Sequence, residues 1–344
     1  MRADDAVVAV PRHGGDLAFA HARYPDVTGS WLDLSTGINP VPYPAARLPV
    51  ENGRLPGSDD LADLLVAART AYGIPDGVPC IAAPGSEMAI QLLPLTVPPA
   101  RVAIVAPTYA SHRRAWEAHG HRVVEIAAVG QAPADAGIVI LANPNNPDGR
   151  VVSPADLARM AERLAAAGGL LLVDEAFADV APEVSLSPYL GEAPAVVLRS
   201  LGKFYGLPGL RLGFVAGRHE AVGRLQRLLG DWPVSAPAIA AASVALPDAA
   251  WRRKARARLK RSTAALHRLL GEAGLSVAGG TDLFTLVEDP RAHALHEGLA
   301  REGIWTRVFQ DRPRWLRLGL TADTPAFRRF AEALRRVTAT ATTG

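Results

Sequence analysis

The sequence is poor in cysteine, in net charge and in unbroken apolar runs, and each scarcity removes a class of answers. A single cysteine, Cys80, stands in 344 residues, so no internal disulfide framework is available and a reducing compartment is expected. Lys and Arg number 37 against 34 Asp and Glu, and the resulting formal charge of +3 is too small to argue for nucleic acid. No run approaches the roughly 20 apolar residues of a membrane span, and the charged start Met-Arg-Ala-Asp-Asp leads into no signal-type apolar core. The expectation is a cytoplasmic protein with no membrane or nucleic-acid partner and no metal site. Its length suffices for a large core and more than one domain.

What is present is a long alternation of helical and strand-like text. A polar arm with Pro40, Pro42 and Pro44 excludes helix there. From Ser58, read as the N-cap, the apolar positions Leu61, Leu64, Leu65 and Ala68 predict an amphipathic helix that closes at Gly73. Seven β-rich runs follow between Cys80 and Val215, several of them apolar almost without interruption, as in strands covered on both faces by helices. That pattern predicts an α/β domain with a mainly parallel seven-stranded sheet. After Gly230-Asp-Trp-Pro233 the alternation stops, two helical patterns intervene, and a smaller α+β domain runs to the end. The divisions expected are an arm over 1–44, a large domain over 45–246 and a small domain over 247–344. The basic run Arg252 to Arg261 shares a helix with Trp251, Ala255, Leu259, Leu266 and Leu270, so its charges are expected on a solvated outer face.

Ligands of such sheets sit at the carboxyl ends of the strands, and chemically capable residues cluster after several of these runs. The most telling is Arg199-Ser-Leu-Gly-Lys203, continued by Gly209-Leu-Arg-Leu-Gly213. A lone Gly-Lys pair is ordinarily a solvated loop cation. Here Ser200 and Arg211 flank the amine, and a hydroxyl with a guanidinium suits a phosphate. An amine beside a phosphate site suggests a phosphorylated aldehyde held as a Schiff base.

With its spacing kept, S-x-G-K followed by G-x-R-x-G resembles the lysine motif of the fold-type I pyridoxal-phosphate enzymes, the aspartate aminotransferase superfamily. The resemblance implies pyridoxal 5'-phosphate as cofactor, bound covalently by Lys203 and held by its phosphate to Ser200, Arg211 and the amides of Ser86 and Glu87. It makes Asp174 the partner of the ring nitrogen. Asn146, in Asn143-Pro-Asn-Asn-Pro-Asp-Gly149, matches the donor to the ring hydroxyl, and Tyr109 the aromatic that stacks on the ring. Taken singly, Asp174 could be a strand-end cap, the Asn/Pro text a turn, and Tyr109 a core residue.

Three positions depart from the family: Asp148 replaces a Thr, Phe177 a Tyr, and Leu55 the Tyr of an R-Y-P segment. Trp315-Leu-Arg-Leu-Gly319 resembles the strand whose arginine meets a substrate carboxylate, implying that role for Arg317. Gly303-Ile-Trp-Thr-Arg307 resembles the phosphate-binding segment of histidinol-phosphate aminotransferases, implying that Arg307 takes a substrate phosphate. His13-Gly-Gly15, with Trp31-Leu-Asp-Leu-Ser-Thr-Gly-Ile-Asn-Pro40, is closely similar to the arm of the L-threonine-O-3-phosphate decarboxylases of cobalamin biosynthesis. That likeness implies a homodimer acting on a small phosphorylated amino acid, with His13 and Gly37 at the substrate and Lys203 returning a proton to the α-carbon after carbon dioxide leaves. A turn histidine without ligand is the plain reading of His13. An aminotransferase of the histidinol-phosphate type and a non-catalytic cofactor binder are the competing functions.

Overall fold

The computed structural model describes residues 13–45 and 53–340; the charged start and Arg12 lie outside them. The described residues fall into two compact units, one of Val41–Ala257 and one of residues up to Pro40 together with those from Arg258 onward. The second unit opens with helix α1 (Leu17–Arg23), whose first turn is capped by the Asp16 carboxylate accepting the Phe19 N–H at 2.9 Å, and strand β1 (Leu32–Asp33).

The unit Val41–Ala257 runs α2 (Ser58–Tyr72), β2 (Cys80–Ala83), α3 (Ser86–Leu92), β3 (Arg101–Val105), α4 (Ala110–Ala118), β4 (Arg122–Ile126), β5 (Ile138–Ala142), α5 (Pro154–Ala166), β6 (Leu170–Asp174), β7 (Ala195–Ser200), β8 (Gly213–Gly217), α6 (Glu220–Leu229), α7 (Ala236–Ala245) and the start of α8 (Ala249–Glu272). Its seven strands form one sheet in the order β2-β8-β7-β6-β5-β3-β4. Strands β7, β6, β5, β3 and β4 pair in parallel, while β8 runs antiparallel to both β7 and β2. The mainly parallel sheet expected from the apolar runs is therefore the one found. Strand β8 is the exception because the twelve residues joining it to β7 contain no crossover helix, which a parallel neighbour would need.

Every residue of β5, β6 and β7 is buried, as strands covered on both faces must be. Ile104, Ile140, Leu172 and Leu198 pack with Ile90 of α3 and Trp116 of α4 in one core. Trp116 is fully enclosed, and truncating such a side chain typically costs about 3–5 kcal/mol.

Two local expectations are corrected. The N-cap of α2 is Gly57, not Ser58: Ser58 is already helical, and the Asp60 carboxylate accepts the Gly57 N–H at 2.9 Å. The basic run on α8 is not wholly solvated either. Arg252 donates to the Ala71 carbonyl at 3.0 Å and Arg256 Nε to the Asp179 carbonyl at 2.7 Å, and burial lowers the Arg256 pKa. These guanidiniums reach inward along their apolar stems to cap orphan carbonyls.

The second unit continues with β9 (Val277–Thr281), β10 (Phe284–Glu288), α9 (Ala292–Arg301), β11 (Ile304–Trp305), β12 (Arg307–Phe309), β13 (Arg312–Gly319) and α10 (Thr324–Thr340). Four strands form an antiparallel sheet in the order β12-β13-β10-β9. Strand β1 pairs in parallel with β11, Leu32 opposite Ile304 and Asp33 opposite Trp305. Trp31 and Trp305 meet edge to face at 6.0 Å, with Tyr24 against both, so an aromatic cluster ties α1 and β1 to β11. Among the described residues no helix is long and apolar enough to cross a membrane.

Candidate active site

The register of the large sheet puts Asp174 beside Ala142 on one side and Leu198 on the other, so the loops after β5, β6 and β7 leave from one edge. A cleft of about 200 Å³ opens there, lined by Ser86, Glu87, Tyr109, Asn146, Asp174, Ser200, Lys203 and Arg211. All eight cofactor-side candidates of the sequence are thus brought together.

At one end, Gly85 precedes α3 with φ +79° and ψ 153°, a conformation essentially reserved for glycine. Arg211 adds a second constraint, since a Cβ on Gly85 would lie 2.8 Å from its Nη2. Arg211 itself is left-handed, with φ 52°, which costs a non-glycine residue about 1–2 kcal/mol. With the backbone in that conformation the guanidinium lies over Gly85, and it lines the same cleft as Ser86. The Glu87 side chain accepts from Gln91 Nε2 at 2.8 Å. Burial pushes the Tyr109 hydroxyl up to about 12, and nearby Glu87 adds to the effect.

At the other end, Asp174 is 5% exposed; its Oδ1 accepts the Ala176 N–H at 3.0 Å and its Oδ2 lies 3.0 Å from His112 Nε2. His112 is completely buried, and among the described residues its other nitrogen, Nδ1, has no hydrogen-bond partner. With Nδ1 unpartnered, the pairing is satisfied when Nε2 carries the proton and donates to the carboxylate. Sequence reasoning passed over His112. The signal was its place three residues after Tyr109, one helical turn along α4, so the two rings meet edge to face at 6.3 Å.

Behind the cleft, the residues next to Asp174 and Ser200 point the other way, because side chains alternate along a strand. There Arg199 Nη1 meets Glu175 at 2.8 Å and Nη2 meets Asp179 at 2.9 Å, all three nearly without solvent. Ser185 and Ser187 hydroxyls and the Leu186 N–H also donate to Glu175. Burial works against the Arg199 charge, but Asp179 and Glu175 outweigh it and hold the guanidinium above its ordinary pKa. Lys203 Nζ stands 5.7 Å from the Phe177 ring centre, and the residues after it, Phe204 and Tyr205, are fully buried against Trp251. The lysine turn is thereby anchored from below.

The substrate-side candidates belong to the other unit. Arg307 and Arg317 face each other in the β12–β13 ladder. Arg317 is 7% exposed and donates through Nη2 to the Ser35 carbonyl at 2.7 Å. Burial, reinforced by Arg307 and opposed by Asp33, pulls its pKa down to about 10, and burial lowers Arg307 as well. Gly37 is buried in the same arm, and His13 is exposed, two residues before Gly15, whose N–H donates to Ser35 Oγ.

Against known proteins, a family model described as aminotransferase class I and II matches residues 61–334. The chain belongs to the class I and II aminotransferase family. A threonine-phosphate decarboxylase from a Sinorhizobium species is 44% identical over 94% of this chain and 98% of its own. Another protein of that name, from Pseudomonas aeruginosa, is 43% identical over 94% of this chain and 96% of its own. The crystal structure of a histidinol-phosphate aminotransferase from Sinorhizobium meliloti, in complex with pyridoxal-5'-phosphate, superposes with a TM-score of 0.82 at 21% identity, covering 98% of this chain and 96% of that one, which shows a common fold.

Within this aminotransferase family the three departures now have surroundings. Asp148 accepts from Asn145 Nδ2 at 2.7 Å and from the Arg150 N–H at 3.0 Å, so it locks the Asn143–Gly149 turn that carries Asn146 into the cleft. Phe177, 5% exposed, lends the cleft a ring face beside Lys203 in place of a hydroxyl. Leu55 is 62% exposed, next to Arg54, which pairs with Asp60 at 3.2 Å.

Proposed function

We propose that this chain is a pyridoxal-phosphate-dependent decarboxylase that converts L-threonine O-3-phosphate to carbon dioxide and (R)-1-aminopropan-2-yl phosphate, the linker precursor of cobalamin biosynthesis. The observation that carries the reaction is the likeness to two threonine-phosphate decarboxylases over 94% of the chain.

The cleft residues fit the cofactor. A cradle over Gly85 that only the absence of a Cβ leaves open, with a guanidinium, a hydroxyl and the first amides of a helix around it, suits a phosphate. In this reading Arg211, Ser200 and the amides of Ser86 and Glu87 hold that phosphate, Asn146 meets the ring hydroxyl and Tyr109 covers the ring. Asp174, kept in place by His112, faces the ring nitrogen, and Lys203 is the point of attachment. Bound there, pyridoxal phosphate supplies an electron sink for the pair left when the carboxyl carbon departs. Lys203 then delivers a proton to the substrate α-carbon as general acid. His13 and Arg307 take the substrate phosphate, Arg317 its carboxylate, and Gly37 lets the arm backbone approach the substrate.

The unit Val41–Ala257 is accordingly the cofactor unit, and the arm with the C-terminal residues the substrate unit. The free, buried Cys80 fits a cytoplasmic protein. A homodimer completes the reading, and light scattering on the holoenzyme tests it. Release of carbon dioxide from threonine phosphate with no keto acid present, abolished in Lys203→Ala, is the expected result. A strict need for 2-oxoglutarate would assign the chain instead to an aminotransferase reaction.

A further inference from the structure

We propose that Ser35, fixed by Asp33, is a positioning residue that holds His13 and Arg317 in one mutual arrangement and thereby favours carbon dioxide loss over amino transfer. The inference rests on the substrate roles proposed above for His13 and Arg317.

Ser35 is completely buried, and each of its three polar groups has an assigned partner. Its N–H and its hydroxyl both donate to Asp33 Oδ1, at 2.8 and 2.6 Å. The hydroxyl oxygen accepts the Gly15 N–H at 2.7 Å, and the carbonyl accepts Arg317 Nη2 at 2.7 Å. Asp33 therefore sets the direction of the hydroxyl, which leaves a lone pair aimed at Gly15. Gly14 lies directly on this residue: a Cβ there would be 2.2 Å from the Ser35 carbonyl oxygen. The turn His13-Gly-Gly15 is thus seated on the same peptide that holds Arg317. The arm is itself tied to β13, since the Gly319 N–H donates to the Leu34 carbonyl at 2.7 Å.

Two consequences follow for a substrate carrying a phosphate at one end and a carboxylate at the other. Both two-pronged edges of a guanidinium use Nη2, so an N–H of Nη2 spent on Ser35 removes one of them and narrows how a carboxylate can dock. Fixing His13 relative to Arg317 also limits rotation of the substrate between its two anchors, and that rotation decides which α-carbon bond is presented for cleavage. A loosened arm would let the α-hydrogen compete with the carboxylate.

The test uses the full-length holoenzyme with Ser35→Ala, Asp33→Ala and Asp33→Asn. Loss of a hydrogen bond of this kind is expected to raise KM for threonine phosphate about 10-fold in Ser35→Ala and Asp33→Ala, with a smaller change in kcat. Asp33→Asn keeps an acceptor for Ser35 and should show a smaller rise. The fraction of turnovers that leave the amino group on the cofactor, read from its absorbance, should increase in the same order. Amide hydrogen exchange at Gly15 should quicken in Ser35→Ala whatever reaction the enzyme performs. A Ser35→Ala protein with wild-type KM and product partition, or one that merely melts earlier and loses kcat with partition unchanged, would overturn the positioning role. Wild-type protein that releases no carbon dioxide would instead defeat the proposed function, and unchanged exchange at Gly15 in Ser35→Ala would by itself overturn the role of Ser35.

Discussion

Replacing Gly85 by alanine combines two costs that can be worked from the cleft. At φ +79° and ψ 153° an alanine carries strain of about 1–3 kcal/mol. With an unfolding entropy of about 2.1 cal/mol/K per residue, that loss lowers the melting temperature by about 1–4 °C. The second cost falls on binding. The new Cβ would sit 2.8 Å from Arg211 Nη2 and 3.3 Å from its Cζ, so the guanidinium must swing away from the cradle. A hydrogen bond to a charged group is worth about 1.5–3 kcal/mol, so pyridoxal phosphate should bind about 10- to 150-fold more weakly. Thermal unfolding of the apoprotein and an absorbance titration with the cofactor separate the two costs. Arg211→Ala alone and the double variant complete a cycle in which the binding losses must be far from additive, because both act through one guanidinium. Wild-type cofactor affinity in Gly85→Ala, or additive losses across the cycle, would refute the phosphate cradle.

Two further outcomes can be stated. Arg199→Met leaves Glu175 and Asp179 buried without their shared cation and should destabilise the protein by about 3–5 kcal/mol in urea unfolding; a loss below 1 kcal/mol would show that the network carries little. His296 packs its ring 4.7 Å from Trp305 with Nδ1 2.8 Å from Thr306 Oγ1, and burial lowers its pKa to about 4. The unfolded chain protonates this histidine near its ordinary value of about 6.5 while the folded chain does not, so stability falls as pH drops from about 6.5 towards 4, by about 3 kcal/mol in total. His296→Gln should flatten that part of the urea midpoint against pH, and an unchanged slope would contradict the assignment.

The fold was largely legible because its central strands are buried on both faces. Ile138 to Leu141, Leu170 to Val173 and Val196 to Leu198 carry nearly unbroken apolar text that few other structures require. The cleft residues were legible for a related reason, since they end strands or stand in the loops and turns that join them to the next element, and the sheet brings the ends of β5, β6 and β7 to one edge. Other features could not be read locally. Whether Arg256 of α8 faced water or the Asp179 carbonyl depended on what packs against that helix, and helical periodicity alone leaves a boundary position undecided. His112 acquires its partner only in the folded chain, where α4 lies beside the end of β6 and its Nε2 comes within 3.0 Å of Asp174.

The sequence by itself determined the α/β class, the lysine with its flanking hydroxyl and guanidinium, and the family likeness, because these depend on residue type and short spacing. Only the tertiary structure decided which charges are paired and which backbone groups are spent. Glu175 and Arg199 are separated by 24 residues and Ser35 and Arg317 by 282, and such pairs exist only once the sheets set their strands in register. The physical reason is that the worth of a charge or a hydrogen bond depends on burial and on partners a few ångströms away. Both are properties of the packed chain and not of its order.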